Sequence, residues 1–192
     1  MKVIKVKVFL IILLWILNFK IAAQSYNGNA HTKKQWFVSS AVGVQISGIK
    51  EEDFIRTNVA PAITVTSGFW LAPSIGFGII YKGPYFYYIG DDDRHSYLFI
   101  CSEVLFNVNE IVNGKKEIKN RWSFIVHSGP GYFYNDYLNQ SQLNLNGGII
   151  NKVKLTNRLD VFMDVSFIVG WDIYQGNEDI LPSAVLGVSY LF

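Results

Sequence analysis

Six ionisable side chains recur on the less apolar faces of alternating segments: Glu103, His127, Lys152, Lys154, Asp160 and Asp164. Acids, lysines and an imidazole gathered on one face can pair as ions, either as a fixed network or as a gate in a narrow conduit. A turn over 156–158 that pairs Leu155 with Leu159 sets Lys154 opposite Asp160 and Lys152 diagonal to Asp164. A second polar group is continuous, Asp91-Asp92-Asp93-Arg94-His95-Ser96. It offers carboxylates to a divalent cation, or His95, Ser96 and an Asp to acyl transfer. Acidic loop residues are also ordinary solvated turn. In His95-Ser96 and in His127-Ser128 the two side chains are adjacent, so on a strand they point to opposite faces. A base and a nucleophile placed that way do not meet.

The third feature is aromatic. Pro84-Tyr85-Phe86-Tyr87-Tyr88-Ile89 puts rings on both faces of one strand. Two readings fit. Either this strand and the next run on as a hairpin that offers Tyr85, Phe86, Tyr87 and Tyr88, with Asp91, Asp92 and Asp93, to a protein or glycan, or the rings form a thick outer girdle folded against the other loops. Gly76-Phe77-Gly78 and Gly129-Pro130-Gly131 open no helix and precede no Lys-Ser/Thr pair, so neither is a phosphate loop. Cys101, alone in the sequence, builds no disulfide framework and no thiolate metal site. No metal or cofactor is expected from these residues.

Composition says what kind of scaffold holds them. The 192 residues suit one domain; 50% are hydrophobic, 16% aromatic and only 17% charged, against about 25% charged in a soluble domain. The longest apolar run, Val8–Leu17, falls short of the ~20 residues a membrane-crossing helix needs. Residues 1–23 have the parts of a secretory leader: Lys2, Lys5 and Lys7, then the apolar run, then Ile21-Ala22-Ala23. Cleavage after Ala23 takes four lysines and no acid from 17 basic and 15 acidic residues, turning the formal charge from +2 to about −2. That leaves no basic footprint for nucleic acid. Residues 24–34 are expected as a short periplasmic segment.

From residue 35 onward the apolar period is two. Segments near 35–47, 60–71, 74–88, 97–112, 117–134, 142–155, 159–173 and 183–192 each alternate. The first sets Trp36, Val38, Val42, Val44 and Ile46 against Phe37, Ser39, Ala41, Gly43, Gln45 and Ser47. The seventh sets Leu159, Val161, Met163, Val165, Phe167, Val169 and Trp171 against Asp160, Phe162, Asp164 and Ser166. Short connections near Ala72-Pro73, Asn113-Gly114 and Thr156-Asn157-Arg158 alternate with longer polar ones near 48–59, 89–96, 135–141 and 174–182. This pattern is that of an all-β fold, an eight-stranded antiparallel up-and-down transmembrane β-barrel over 35–192. With both termini in the periplasm, every short turn lands there and every long loop lies outside.

A soluble lipocalin-like barrel has eight strands too, with its apolar face inward. The low charge and the Gly, Ser, Ala, Thr and Asn of the less apolar face argue instead for a filled lumen and a lipid-facing exterior. Trp36, Trp122, Tyr190 and Phe192 gather near one rim, and Tyr81, Tyr132 and Trp171 near the other, as interfacial girdles would. Eight strands leave an interior just wide enough for side chains, so the charged residues are expected as a plug.

The C-terminus, Val185-Leu186-Gly187-Val188-Ser189-Tyr190-Leu191-Phe192, resembles the β-signal read by the barrel-assembly machinery, with Gly187, Tyr190 and Phe192 in place and Val185 where a polar residue is usual. With the glycine-rich strands, it makes the chain similar to the small eight-stranded outer-membrane barrels of Gram-negative bacteria, the OmpA-like and OmpX-like group of the porin family. The resemblance implies residence in the outer membrane among its lipids and lipopolysaccharide, and assembly by that machinery. It also implies a structural or surface-interaction role without catalysis or a wide pore. Two other roles fit the same scaffold: an accessory subunit of an envelope transport or secretion assembly, and a lipid A-modifying enzyme. Outer-membrane lipid A deacylases carry His and Ser two apart on one face, a spacing that His95-Ser96 and His127-Ser128 lack. Pro130 departs from the family pattern by removing a ladder donor, and a bulge is expected there.

Overall fold

The alternation is realised as eight strands: β1 (Gln35–Ile46), β2 (Val59–Ala72), β3 (Ile75–Tyr88), β4 (Asp93–Asn107), β5 (Trp122–Asn135), β6 (Gln140–Lys154), β7 (Leu159–Trp171) and β8 (Glu178–Leu191). A helix, α1 (Val108–Asn113), follows β4. The computed structural model describes residues 35–47, 58–88, 93–113, 121–171, 173 and 178–192. The expected leader over 1–23, the segment 24–34, and Asp91 and Asp92 lie outside the described residues. Residues 86–88, 93, 94, 113, 171, 178 and 179 are described in backbone alone.

Each strand pairs antiparallel with the next, and β8 pairs with β1 from Phe37↔Leu191 to Gln45↔Ser183, so the sheet is a closed barrel. Closure removes the unpaired edges that an open sheet would expose. The face with Phe37, Ser39, Ala41 and Gln45 is buried in the lumen, while Val38, Val42 and Val44 point out. The same sense holds around the barrel: Val42 and Ile79 are each 63% exposed, and Leu186 is 62% exposed. An inward apolar face, the lipocalin arrangement, is therefore ruled out. Trp36, Trp122, Tyr190 and Phe192 stand exposed at the turn end, where Trp36 leans on Phe69 with ring centroids 5.0 Å apart. At the loop end Tyr132 is exposed and Tyr81 half-buried.

The register at the 156–158 turn is the expected one. Leu155 N–H donates to Leu159 C=O at 2.9 Å, and Lys154 pairs with Asp160. Thr156 Oγ1 holds the turn by accepting from the N–H groups of Arg158 at 3.2 Å and Leu159 at 3.0 Å.

Five expectations need correction. The fourth segment does not run as strand to residue 112, because the chain coils into α1 after Asn107. Asn109 Oδ1 there accepts the N–H of Phe124 at 2.6 Å, a local side-chain bond that competes with the ladder. Strand β4 also starts at Asp93, because β3 and β4 stay paired out to Tyr88↔Asp93. Strand β8 starts at Glu178, since it pairs with Trp171 of β7. Strand β5 starts at Trp122 rather than near 117. Finally, Pro130 causes no bulge. The β4–β5 ladder passes from Cys101↔Gly131 to Val104↔Ser128 in constant register, while Pro130 pairs with Leu145 on the β6 side. Skipping rungs on one side accommodates the missing donor.

Candidate functional site: a layered lumen and a projecting hairpin

Side chains fill the lumen in layers. At the loop end Ile80, Tyr97, Phe99, Cys101, Phe133, Ile168, Ile173 and Leu181 form one apolar cluster. Tyr97 and Phe133 stack there with centroids 4.9 Å apart. The Tyr97 hydroxyl donates to Gln45 Oε1 at 2.5 Å, which gives a buried phenol its partner. Ile173, from the β7–β8 connection, is buried in this layer, and its carbonyl accepts from Asn135 Nδ2 at 2.9 Å.

Below it lies the charged layer. His127 Nδ1 is 2.8 Å from Glu103 Oε2, and His127 Nε2 is 3.2 Å from Asp164 Oδ1. The two ring nitrogens thus each face a carboxylate, one from β4 and one from β7. Lys82 Nζ donates to Asn146 Oδ1 at 2.8 Å and to Ser166 Oγ at 2.7 Å, and Asn146 Nδ2 donates to Glu103 Oε2 at 3.3 Å. Every one of these side chains is buried. The meeting of His127 with Asp164 depends on Gly148 of the intervening strand, which lies between His127 and Ser166 in the register, with Asp164 two residues before Ser166 on the same face. A Cβ on Gly148 would come 2.6 Å from His127 Nε2 and 2.4 Å from Ser166 Cβ.

Toward the turn end, Phe37, Leu105 and Ile125 close the lumen, backed by Trp70, Ile150 and Leu191. Between the charged layer and this plug sits a cavity of about 20 Å³, room for about one water, whose lining mixes Glu103, Lys152 and Asp164 with Phe37, Leu105 and Phe162.

The structure thus brings Glu103, His127 and Asp164 together and leaves a second pair apart from them. Lys152 Nζ lies 3.7 Å from Asp160 Oδ2 and 5.6 Å above the Phe37 ring, instead of reaching Asp164 on the diagonal. The histidine takes that carboxylate from β5, reaching over the intervening strand β6. Lys154 stands at the exposed rim. Lys82, Asn146 and Ser166 were not among the expected network residues. The signal for Lys82 was its place two residues after Ile80 on the lumen face.

The other polar candidates are dispersed. Ser96 Oγ donates to Asp136 Oδ2 at 2.9 Å, and the His95 ring lies 4.0 Å from that of Tyr137. Ser128 faces outward and donates to the Asn146 carbonyl at 2.9 Å, while His127 faces the lumen. Neither His-Ser pair forms a base–nucleophile couple. Among the described residues no group of three His, Cys, Asp or Glu side chains is arranged to hold a metal ion.

Two backbone features complete the picture. Strand β2 makes its last rung with β3 at Ala62↔Pro84, and β5 its last with β4 at Tyr97↔Asn135. The rungs from Tyr85↔Ser96 to Tyr88↔Asp93 run past both, as a two-stranded ribbon. At the β1–β8 seam Gly187 pairs with Ala41, and a Cβ there would sit 2.3 Å from the Ser40 carbonyl oxygen. Tyr190 and Phe192 point outward just beyond, and Phe192 N–H donates to the Trp36 carbonyl at 2.9 Å.

No protein-family model matches the sequence, and no curated protein is similar enough in sequence to count as a relative. Solved structures do match. The Neisserial surface protein A superposes with a TM-score of 0.55 at 8% identity, covering 82% of this chain and 97% of that one. The N-terminal β-barrel domain of Pseudomonas aeruginosa OprF gives 0.55 at 12% identity, covering 83% and 100%. The outer membrane protein OprG of the same organism gives 0.53 at 12%, covering 85% and 98%. At these identities the likeness is one of fold, and the fold is that of the small eight-stranded outer-membrane β-barrels.

Proposed function

We propose that this chain is an integral outer-membrane barrel with a structural or surface-interaction role, and that it neither catalyses nor conducts. The observation that carries the reading is the pairing of an apolar exterior with a lumen filled from end to end. Exposed Val42, Ile79 and Leu186 between aromatic rims suit hydrocarbon between two interfaces, and would be costly in water. The charged layer lies between two apolar plugs, so its ions hold strands together rather than line a path. The short turns at 73–74 and 155–158 share one end with the C-terminus and with the β4–β5 connection. That connection, over 108–121, is long in place of the expected short turn. We assign this end to the periplasm. The connections 47–58, 89–92, 136–139 and 172–177 share the other, which we assign to the outside.

In this orientation the β3–β4 ribbon projects from the cell surface. Its aromatic and acidic sequence, Tyr85 to Tyr88 and Asp91 to Asp93, is the part we assign to a protein or glycan ligand. Gly187, Tyr190 and Phe192 serve assembly, with lipopolysaccharide and phospholipid as the surrounding solvent. Planar-bilayer recording of the refolded protein tests the closed lumen. A baseline trace is expected, together with an unchanged baseline for the Lys152→Ala/Asp164→Ala pair. Steady unitary currents from the unmodified protein would overturn it.

A further inference from the structure

Helix α1 replaces a tight turn at the end of the barrel that carries the C-terminus, and its composition is unusual for a solvated connection. Ile111 is 54% exposed and Val112 76% exposed, side by side on a helix of six residues. A helix this short gains little from propensity and is held by packing. The bond from the Phe124 N–H to Asn109 Oδ1 fixes it against β5. The strands that flank it carry exposed rings at this rim, Phe106 near the end of β4 and Trp122 at the start of β5. Leu155 and Phe192 are also exposed at this end. The same end carries three exposed cations, Arg121, Lys154 and Arg158, while the acid of the helix, Glu110, is half-buried. Branched apolar side chains beside aromatic rings and cations match the boundary between acyl chains and anionic headgroups.

We propose that α1 is an interfacial anchor. Ile111 and Val112 lie in the headgroup–acyl boundary of the phospholipid leaflet at the turn end, and Arg121, Lys154 and Arg158 meet lipid phosphates there. The inference rests on the membrane reading above, and its test separates the two. Cys101 is buried and is replaced by Ser, so that one nitroxide can be attached at a chosen site. Labels are placed at Val112→Cys and, separately, at Ile79→Cys on the outward face of β3. The protein is reconstituted alone in vesicles of phosphatidylethanolamine and phosphatidylglycerol.

Oxygen, which concentrates in lipid, is expected to reach both labels severalfold more readily, relative to a water-soluble nickel complex, than it reaches a label at Asn157→Cys on the exposed turn. Replacing Arg121, Lys154 and Arg158 together by Ser is expected to lower the ratio at 112 and to leave it unchanged at 79. A water-like ratio at 112 with a lipid-like ratio at 79 overturns the anchor and leaves the membrane reading standing. Water-like ratios at both sites overturn the membrane reading and the anchor with it. Spin–spin broadening at 112 overturns the anchor in favour of a second copy covering the helix.

Discussion

At the scale of residues the informative group is His127 between Glu103 and Asp164. Sequence alternation was enough to put these three, and Asp160, on the lumen side, because a period of two assigns a face without any knowledge of neighbours. It could not say which acid meets which base. That choice depends on Gly148, whose missing side chain lets the imidazole reach across one strand to Asp164. Lys82 was hidden for another reason. It shares the lumen face with Ile80, but its partners Asn146 and Ser166 stand on β6 and β7, across the lumen from β3, where alternation along one strand names no partner. Removing the central base leaves two buried carboxylates facing each other. We expect His127→Leu to cost about 3–5 kcal/mol, the range for breaking a buried ionic pair on one side. A urea titration of the reconstituted protein reads this directly, and a shift of under about 1 kcal/mol would remove the network from any stabilising role.

At the scale of elements the strands were legible and their ends were not. Alternation continues through Val108, yet the strand stops at Asn107 because Asn109 bonds the backbone of β5. The starts of β4 and β8 likewise follow from partners, Tyr88 and Trp171, that a linear pattern does not reveal. The seam between β1 and β8 is the element on which closure depends. There Gly187 lets the two backbones approach, and any side chain would press on the Ser40 carbonyl. Gly187→Val is expected to abolish closure, seen as loss of the fast-migrating folded band on unheated gels, whereas Ser189→Ala nearby should keep it. A fully folded Gly187→Val barrel would show that the seam tolerates bulk. The β3–β4 ribbon carries the surface prediction. Tyr87→Cys is expected to react with a membrane-impermeant maleimide on intact cells, against a silent background from buried Cys101. Protection of that site would count against a projecting hairpin.

For the whole molecule, the two faces have exchanged the roles they have in a soluble barrel. The lumen holds the polar and charged residues in a layer between aromatic and aliphatic plugs, and the exterior holds Val, Ile, Leu and Phe. Eight strands make a cylinder narrow enough for side chains to fill, so a sealed interior follows from strand number before any particular contact is considered. The sequence pattern alone left both senses of the barrel open. Low charge and small lumen-face residues favoured an apolar exterior, and the burial pattern shows it. The measurement that bears most directly on an apolar, lipid-facing exterior needs no substitution. The refolded protein is placed in vesicles containing a phospholipid with a photoactivatable group on its acyl chain, irradiated, and mapped by mass spectrometry. Adducts are expected on Val42, Ile79, Met163 and Leu186, with none on lumen Phe99, Phe133 or Phe162. Adducts confined to the loops, or found on the lumen aromatics, would contradict the membrane barrel.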